Sequence, residues 1–391
     1  MFKNISDSNQ QVQNRRENMG RVESVSRAFA SPGRYIQGRR ELDHLLDYTR
    51  LYGERVGIII DVFFYDAYKK KFEKMYEGTE SSIRTEEFQG EITARKIAEI
   101  GGRLADFAPN VIVGIGGGKA VDTAKAVADD LKASLIVAPT TASTDAPASS
   151  LSVIYTEEGA HDGTRRYHKN PDMLLLDTEV VVKAPVRFMV AGMGDALATY
   201  AEARANAESD SINFIGGGYK RSIAAMALAK ACCETILAKG YQAKLDAERG
   251  LCTADVEDII EANTLLSGIG FQNTGCATAH ALNAGFSNLS DTQRKNMLHG
   301  EYVAYGTLVQ LIIEQRCTDE IAEYYQFFQK VGLPTSLGDL GIDIGDHEAL
   351  WKVAQVASKS YCVNEPFYID PDMIYDGIIA ATCRRDLYLN R

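Results

Sequence analysis

One short stretch in the first half of the chain constrains the fold more than any other. Residues 111–131 read VIVGIGGGKAVDTAKAVADDL, an apolar run that leads into three consecutive glycines, a lysine and an alanine-rich stretch. The apolar run predicts a buried strand over 111–114, and the alanine-rich stretch predicts a helix over 120–131. A strand that enters a helix through a tight glycine turn is half of a β-α-β unit. The stretch therefore predicts a parallel sheet covered by helices.

The flanking sequence repeats this pattern. Arg55–Asp61 (RVGIIID) and residues 134–138 (SLIVA) predict two further buried strands, and residues 91–107 predict a helix between them. Residues 151–156 and the polar stretch behind them predict a hairpin. Met173–Asp177 (MLLLD) predicts one more strand.

The sequence pattern changes after Pro185, and runs typical of β-strands become rare. Long stretches rich in alanine and leucine follow at 187–208, 217–238, 254–286, 299–316, 318–331 and 347–362. A chain of 391 residues is too long for one average core, so two domains are expected. The predicted parts are a polar N-terminal extension over 1–25, an α/β nucleotide-binding domain over 26–184 and an all-α metal-binding domain over 185–391.

Charge and composition narrow the classes of partner. The chain carries 42 basic and 53 acidic residues, a net charge of −11, which argues against nucleic-acid or anionic-membrane binding. No apolar run reaches the roughly 18–20 residues that a membrane span needs, and residues 1–20 lack the apolar segment of a secretory signal. Seven cysteines without a C-x-x-C pair indicate reduced thiols. These observations predict a cytoplasmic protein.

The glycine loop GIGGGK at 114–119 fits neither of the two regular phosphate-binding motifs. The dinucleotide fingerprint requires glycine where Lys119 stands, and the Walker pattern requires glycine and a hydroxyl where Val113 and Ala120 stand. Bare glycine amides at a helix N-terminus still attract anions, so we predict phosphate binding here. The alternative is a tight turn in which glycine only permits positive φ.

Asp61 ends the strand RVGIIID. A carboxylate at the carboxyl end of such a strand can accept hydrogen bonds from the ribose diol of adenosine, and it repels a 2′-phosphate. The position therefore favours NAD over NADP, although aspartates that end strands often only cap a loop.

Three residues of the second half suggest a metal site. Asp195 stands in an alanine-rich helix, His280 among small and apolar neighbours, and His299 at the start of the next apolar helix. Taken singly, Asp195 reads as a helix cap and each histidine as a satisfied core residue. Taken together, one carboxylate and two imidazoles on three helices suit a catalytic Zn²⁺ with a fourth position for water or substrate.

Five motifs occur in a fixed order along the chain. They are GIGGGKAVDTAKAVA, PTTASTDAPASSLSVIYT, GMGDALATYAEA, TAHALNAGF and HGEYVAYGT. On these motifs the chain, from about Ser31 to its C-terminus, resembles the glycerol dehydrogenases. They belong to the iron-containing-type (group III) alcohol dehydrogenases, whose fold is shared with dehydroquinate synthase.

The resemblance implies a set of site residues. Those implied to contact NAD are Asp61, Gly116, Gly117, Gly118, Lys119, Asp122, Thr140, Ser143, Ser149, Leu151 and Tyr155. Asp145 matches the residue associated with the polyol substrate, and Asp195, His280 and His299 match the ligands of one zinc ion per subunit. Iron-dependent relatives usually carry a fourth ligand, a histidine, where Thr199 stands. This departure favours zinc over iron.

The activity that the resemblance implies is the reversible, zinc-dependent and NAD-linked oxidation of glycerol and other vicinal diols to dihydroxyacetone or its analogues. The alternative within the family is a dehydrogenase or reductase of another small polyol or hydroxyketone. A homo-oligomer, an octamer by resemblance, is expected. A dehydroquinate-synthase-like lyase is disfavoured because no concentrated set of basic residues accompanies the candidate histidines.

Overall fold

The computed structural model describes residues 25–157, 161–290 and 292–391. The predicted N-terminal extension over 1–25 lies, except for its last residue, outside the described residues.

Strands and helices alternate in the first half of the described chain, and helices dominate the second half. The strands are β1 (Tyr35–Gly38), β2 (Arg55–Asp61), β3 (Ser82–Phe88), β4 (Val111–Gly116), β5 (Ser134–Pro139), β6 (Leu151–Tyr155), β7 (His161–Arg166) and β8 (Met173–Asp177). The α-helices are α1 (Leu45–Arg50), α2 (Tyr65–Tyr76), α3 (Ala94–Ala105), α4 (Gly118–Leu131), α5 (Thr178–Val181), α6 (Val186–Glu208), α7 (Ile223–Ala247), α8 (Ala254–Glu261), α9 (Ser267–Thr274), α10 (Thr278–Ser287), α11 (His299–Ile313), α12 (Thr318–Val331), α13 (His347–Ala357), α14 (Pro371–Cys383) and α15 (Arg385–Leu389). A π-helical turn over Ala262–Leu266 joins α8 to α9.

Six strands form one parallel sheet in the order β1-β8-β5-β4-β2-β3. The central strands consist of apolar runs because both of their faces are covered, as the sequence predicts. β6 and β7 form a separate antiparallel hairpin. The predicted fold class, a parallel α/β region followed by a mostly helical region, is confirmed.

The structure contains elements that the apolar pattern did not reveal. β3 (SIRTEEF) lies at the edge of the sheet, where exposed and half-buried polar residues replace an apolar run. The alanine- and leucine-rich stretch over 254–286 forms three α-helices, divided by the π-helical turn and by a break at Gly275, whose φ is +102°. The helices α14 and α15 follow the last predicted helix.

The described chain divides into two compact units. The sheet unit comprises Ala30–Gly192 and Gln242–Gly268, and the helical unit comprises residues 25–29, Met193–Tyr241 and Ile269–Arg391. The functional domains predicted over 26–184 and 185–391 differ from these units by the exchange of short segments, and they stay a prediction.

Two further predictions concern the whole described chain. All seven cysteines lie in it as free thiols, four of them buried. None of its helices combines the length and the apolar composition that a membrane span requires.

Candidate active site

The turn from β4 into α4 contains two kinds of glycine. A Cβ atom on Gly114 would lie 2.4 Å from the Cβ of Ala124, so this glycine lets the helix pack against the strand. Gly116 has a φ of +154°, and a Cβ there would lie 2.7 Å from the Cβ atoms of both Ala120 and Asp61. The fold itself therefore requires glycine at positions 114 and 116.

Gly117 and Gly118 differ from Gly114 and Gly116, because no close contact with the described residues requires glycine at these two positions. A Cβ on Gly117 would meet no atom within 4 Å, and a Cβ on Gly118 would lie 3.9 Å from the Thr144 hydroxyl. Gly117 has a φ of −73°, which any residue can adopt. Side chains are thus absent where the first amides of α4 begin, and this open space is what a phosphate group needs to approach the backbone.

Two predicted cofactor residues flank this turn. Asp61 ends β2 directly after the register pair Ile60–Ile115, which places its side chain beside Gly116. One of its carboxylate oxygens accepts a hydrogen bond from the backbone N–H of Phe63 at 3.0 Å. Lys119 forms an ion pair with Glu91, and about half of its side chain is exposed.

The predicted contacts from 140 to 155 lie along β5, the following loop and β6. The backbone N–H of Thr140 donates to the carbonyl oxygen of Gly116 at 3.0 Å, which ties the end of β5 to the glycine turn. The Ser143 hydroxyl lies 3.1 Å from that of Thr141. Leu151 begins β6 and Tyr155 ends it, and burial raises the pKa of the Tyr155 hydroxyl.

Asp122 lies in the interior of α4, where its carboxylate faces Lys125 at 3.1 Å. Both side chains are buried, which raises the pKa of Asp122 and lowers that of Lys125, while the attraction between the two charges works in the opposite sense. The second carboxylate oxygen of Asp122 accepts from the backbone N–H of Val153 at 3.1 Å. The pair therefore ties the hairpin to the helix that begins at the glycine turn. The predicted contact of Asp122 with NAD stays a prediction.

Lys125 extends this connection to the loop before β6. Its ammonium group donates to the carbonyl oxygens of Ala146 at 2.7 Å and Leu151 at 2.9 Å, and it lies 3.3 Å from the Ser149 hydroxyl. A buried cation thus holds both ends of the loop that carries several predicted contacts.

The predicted substrate residue Asp145 is almost fully buried in the sheet unit. The Ser267 hydroxyl donates to its Oδ2 at 3.2 Å. The backbone of Gly268 packs so closely that a Cβ there would lie 2.5 Å from the carbonyl oxygen of Asp145. Nearby, the side-chain amide of Asn263 donates to the carbonyl oxygen of Ala142 at 2.9 Å.

Asn263 lies in the π-helical turn, and Ser267 and Gly268 follow it directly. Sequence analysis missed all three because they lie inside a long alanine- and leucine-rich stretch. A run of polar and small residues, ANTLLSGIG, was the available signal.

The predicted metal ligands come together in the helical unit. Asp195 lies within α6, His280 in the first turn of α10 and His299 at the first position of α11. One donor atom from each lies within 4.8 Å of the other two. Because Asp195 is far from the helix start and fully buried, the alternative that it caps the helix is wrong.

Small residues allow these three helices to approach one another. Ala198, Ala279 and Val303 form a buried cluster that joins α6, α10 and α11. A Cβ on Gly194 would lie 2.5 Å from the carbonyl oxygen of Gly300, so backbones touch directly beside Asp195 and His299.

Two of the three donor separations suit a tetrahedral metal ion. Oδ1 of Asp195 lies 3.4 Å from Nε2 of His280 and 3.2 Å from Nε2 of His299. Ligands at about 2.0–2.1 Å from Zn²⁺ in a tetrahedron lie about 3.3–3.4 Å apart. Although burial disfavours the charge of Asp195, the two imidazoles outweigh it and hold the pKa of that carboxyl well below its usual range.

Thr199 occupies the position one helical turn after Asp195. It is fully buried, and its methyl group lies 2.5 Å from where a Cβ on Gly270 would stand. Position 270 therefore requires glycine, and a larger side chain at the buried position 199 would have to displace its neighbours.

Hydrogen-bond partners of both histidines surround the ligand set. Glu202, which sequence reasoning missed, lies with its Oε2 2.7 Å from Nδ1 of His280. The side-chain amide of Asn283 lies 3.1 Å from Nδ1 of His299. Glu202 follows Asp195 by two helical turns on the same face of α6, a spacing that could have revealed it.

Comparison with known proteins agrees with this fold. Residues 32–178 match the family model described as iron-containing alcohol dehydrogenase. The chain is 40% identical to the glycerol dehydrogenase of Citrobacter freundii, across 93% of this chain and all of that protein. It is 37% identical to the glycolaldehyde reductase of Halobacterium salinarum, across 91% and 97% of the two chains. The crystal structure of glycerol dehydrogenase from Schizosaccharomyces pombe superposes with a TM-score of 0.88 at 34% identity, covering 94% of this chain and 93% of that one.

The fold is thus that of an alcohol dehydrogenase, and the chain belongs to the iron-containing alcohol dehydrogenase family. Within this family it is similar over nearly its whole length to glycerol dehydrogenases. The predicted family and the predicted enzyme class, an oxidoreductase that acts on an alcohol, are confirmed.

Proposed function

We propose that this protein catalyses the reversible, zinc-dependent and NAD-linked oxidation of glycerol and related vicinal diols. Glycerol and NAD⁺ would give dihydroxyacetone, NADH and a proton. The observation that carries the proposal is the donor set of Asp195, His280 and His299, with separations that suit tetrahedral zinc. Its support from sequence is the near-complete match to glycerol dehydrogenases.

In this proposal the helical unit holds the metal. Zinc, when bound, supplies a Lewis acid that lowers the pKa of a substrate hydroxyl toward neutrality. The carboxylate of Asp195 and the Nε2 atoms of the two histidines hold it. Since Thr199 adds no fourth imidazole, one position remains for substrate, which is the arrangement of catalytic zinc sites.

The sheet unit would bind NAD. Gly117 and Gly118 leave the first amides of α4 open to the pyrophosphate, and Lys119 can exchange its partner Glu91 for a phosphate oxygen. Asp61, beside Gly116, accepts hydrogen bonds from the adenosine ribose and repels a 2′-phosphate. The remaining proposed contacts are Gly116, Asp122, Thr140, Ser143, Ser149, Leu151 and Tyr155.

Asp145 would select the substrate. Its buried carboxylate binds the hydroxyl next to the one that is oxidised, and Ser267 orients it through Oδ2. A substrate without a second hydroxyl would not donate this hydrogen bond to the buried carboxylate of Asp145, which costs binding free energy. Such substrates should therefore react poorly.

A second candidate uses the same residues in the opposite direction. The match to a glycolaldehyde reductase favours reduction of a small hydroxyaldehyde or hydroxyketone as the physiological reaction. The ratio of the two directions under cellular cofactor concentrations would decide between them.

We also propose that the enzyme works in the cytoplasm as a homo-oligomer, an octamer by family resemblance. Seven free thiols support a reducing compartment. Light scattering coupled to gel filtration would give the subunit number, and a monomeric mass would contradict the assembly.

The substrate assignment is tested by the rates of NADH formation with glycerol, 1,2-propanediol and 1-propanol. We expect kcat/KM for the two diols to exceed that for 1-propanol. In Asp145→Asn the charge is lost while the size is kept, and diol selectivity should fall roughly 10- to 100-fold, as for the loss of a charged hydrogen bond. Unchanged selectivity in this variant, or a wild-type preference for 1-propanol, would refute the role of Asp145.

A further inference from the structure

We infer that Glu202 is a positioning residue that fixes the tautomer and orientation of His280, so that Nε2 of this histidine faces the metal. The inference rests on the proposed function, because it assumes that His280 is a ligand. It adds a residue to the site that acts through His280 and does not itself contact the metal or the substrate.

Both carboxylate oxygens of Glu202 have partners on the segment that begins α10. The residue is fully buried in α6. Its Oε1 accepts hydrogen bonds from the backbone N–H groups of Ala277 at 2.8 Å and His280 at 2.9 Å. Its Oε2 lies 2.7 Å from Nδ1 of the same histidine. Both oxygens are engaged by the first turn of α10 and the residue before it.

These contacts orient the ring of His280. A neutral imidazole has one N–H donor and one acceptor nitrogen. A neutral ring that donates from Nδ1 to the acceptor Oε2 keeps the lone pair of Nε2 for a metal. Nε2 is the nitrogen that lies 3.4 Å from Oδ1 of Asp195. A carboxylate that holds the far nitrogen of a metal-binding histidine also raises its basicity as a ligand.

A second metal ion is the competing interpretation of the same group. Glu202, Cys276 and His280 offer ligand atoms within 4.8 Å of one another. The separation of 2.7 Å between Oε2 and Nδ1 is, however, a hydrogen-bond length. It is shorter than the distance of about 3.3 Å between two ligands of one tetrahedral zinc. Glu202 is therefore a hydrogen-bond partner of His280 and not a ligand of a second metal ion.

Replacement of Glu202 by glutamine tests this logic, because glutamine keeps the size but has only one acceptor oxygen. If that oxygen stays with the two backbone N–H groups, the NH₂ group faces Nδ1 and moves the ring proton to Nε2, which then cannot bind metal. If the side chain flips, the NH₂ group faces two donors. Either arrangement should weaken zinc binding, roughly 10- to 100-fold for the loss of such a partner.

Glu365 supplies a matched control in the same unit. It is buried, and its Oε1 accepts from the backbone N–H of Thr278 at 3.2 Å and from the hydroxyl of that residue at 2.6 Å. It thus contacts the same end of α10 without contacting His280. If Glu202 acted as a helix cap alone, Glu202→Gln would lower the thermal stability without a loss of zinc affinity.

The experiment measures zinc affinity of the full-length protein, stripped by a chelator, in competition with a colorimetric zinc indicator. We expect a loss of at least tenfold in Glu202→Gln and a change of less than about twofold in Glu365→Gln, with thermal unfolding of both stripped variants as a control for folding. Wild-type affinity in Glu202→Gln, or equal losses in both variants, would overturn the inference.

A second measurement does not depend on a variant that folds. Long-range ¹H–¹⁵N spectra of the wild-type protein labelled at its six histidines report the tautomer of each ring. The inference requires a proton on Nδ1 of His280, and a proton on Nε2 alone would overturn it. A wild-type protein that binds no zinc would instead contradict the proposed function.

Discussion

The ammonium group of Lys125 and the carboxylate of Asp122 form an ion pair 3.1 Å apart in the interior of the sheet unit. The same ammonium group also binds the carbonyl oxygens of Ala146 and Leu151. One turn of α4 thus organises the loop that carries Asp145, the proposed substrate residue, at its start.

This relationship predicts a large loss of stability in Lys125→Met. The change leaves the carboxylate of Asp122 buried without its cation, which typically lowers the free energy of unfolding by about 3–5 kcal/mol. The double variant Asp122→Asn with Lys125→Met removes both charges and should recover part of this loss. Urea denaturation of the single and double variants measures the coupling. Strictly additive losses would show that the two side chains do not act as a pair.

The two kinds of glycine in the β4–α4 turn predict different effects on stability when each is replaced by alanine. Gly114→Ala should destabilise the fold, because its Cβ would lie 2.4 Å from the Cβ of Ala124. In Gly118→Ala the added Cβ would lie 3.9 Å from the Thr144 hydroxyl, an ordinary contact distance. The free energy of unfolding should therefore change by less than about 0.5 kcal/mol. The same variant should raise the Kd for NADH at least tenfold, measured by fluorescence titration. Wild-type NADH affinity in Gly118→Ala would show that phosphate does not bind at this turn.

Cofactor choice should depend on Asp61. With its carboxylate in place we expect kcat/KM for NAD to exceed that for NADP by roughly 100-fold or more, since a 2′-phosphate would meet a negative charge. In Asp61→Ser the activity with NAD should fall and that with NADP should rise. An unchanged ratio would mean that Asp61 only caps the end of β2 through its bond to the Phe63 amide.

Position 199 should resist conversion into a fourth metal ligand. Thr199 is fully buried against Gly270, so Thr199→His would have to displace its neighbours and should lower the free energy of unfolding by about 1–3 kcal/mol, as overpacking does. Thr199→Ser is the control for loss of the methyl group. A Thr199→His variant that is as stable as wild type and binds ferrous iron more tightly than zinc would contradict the prediction that position 199 cannot supply a fourth ligand.

The outline of the fold could be predicted because apolar runs dominate the buried strands. Arg55–Asp61 and Met173–Asp177 are strands with the predicted limits. The strand β3 was missed because an edge strand keeps polar side chains, here SIRTEEF. The division of the stretch 254–286 was missed as well, since a π-helical turn keeps the composition of a helix.

The sequence predicted the candidate site mainly through the residues that its motifs contain. The motifs located the ligand residues, and the structure brings Asp195, His280 and His299 together. The spacing of Glu202 from Asp195 and the polar run around Ser267 mark both residues in the sequence, but their partners come from contacts between distant segments of the chain. Such contacts follow from packing, and a single sequence does not record them.

The central claim is that the metal held by Asp195, His280 and His299 is required for NAD-linked oxidation of glycerol. The most direct measurement is the rate of NADH formation from glycerol by the purified protein. It should be made before and after removal of metal by a chelator, and again after zinc or ferrous iron is added back separately, with Asp195→Asn as the control. We predict that chelation abolishes activity, that zinc restores it better than iron, and that neither metal restores the variant. Activity that survives complete removal of metal, or full activity of Asp195→Asn, would contradict the account.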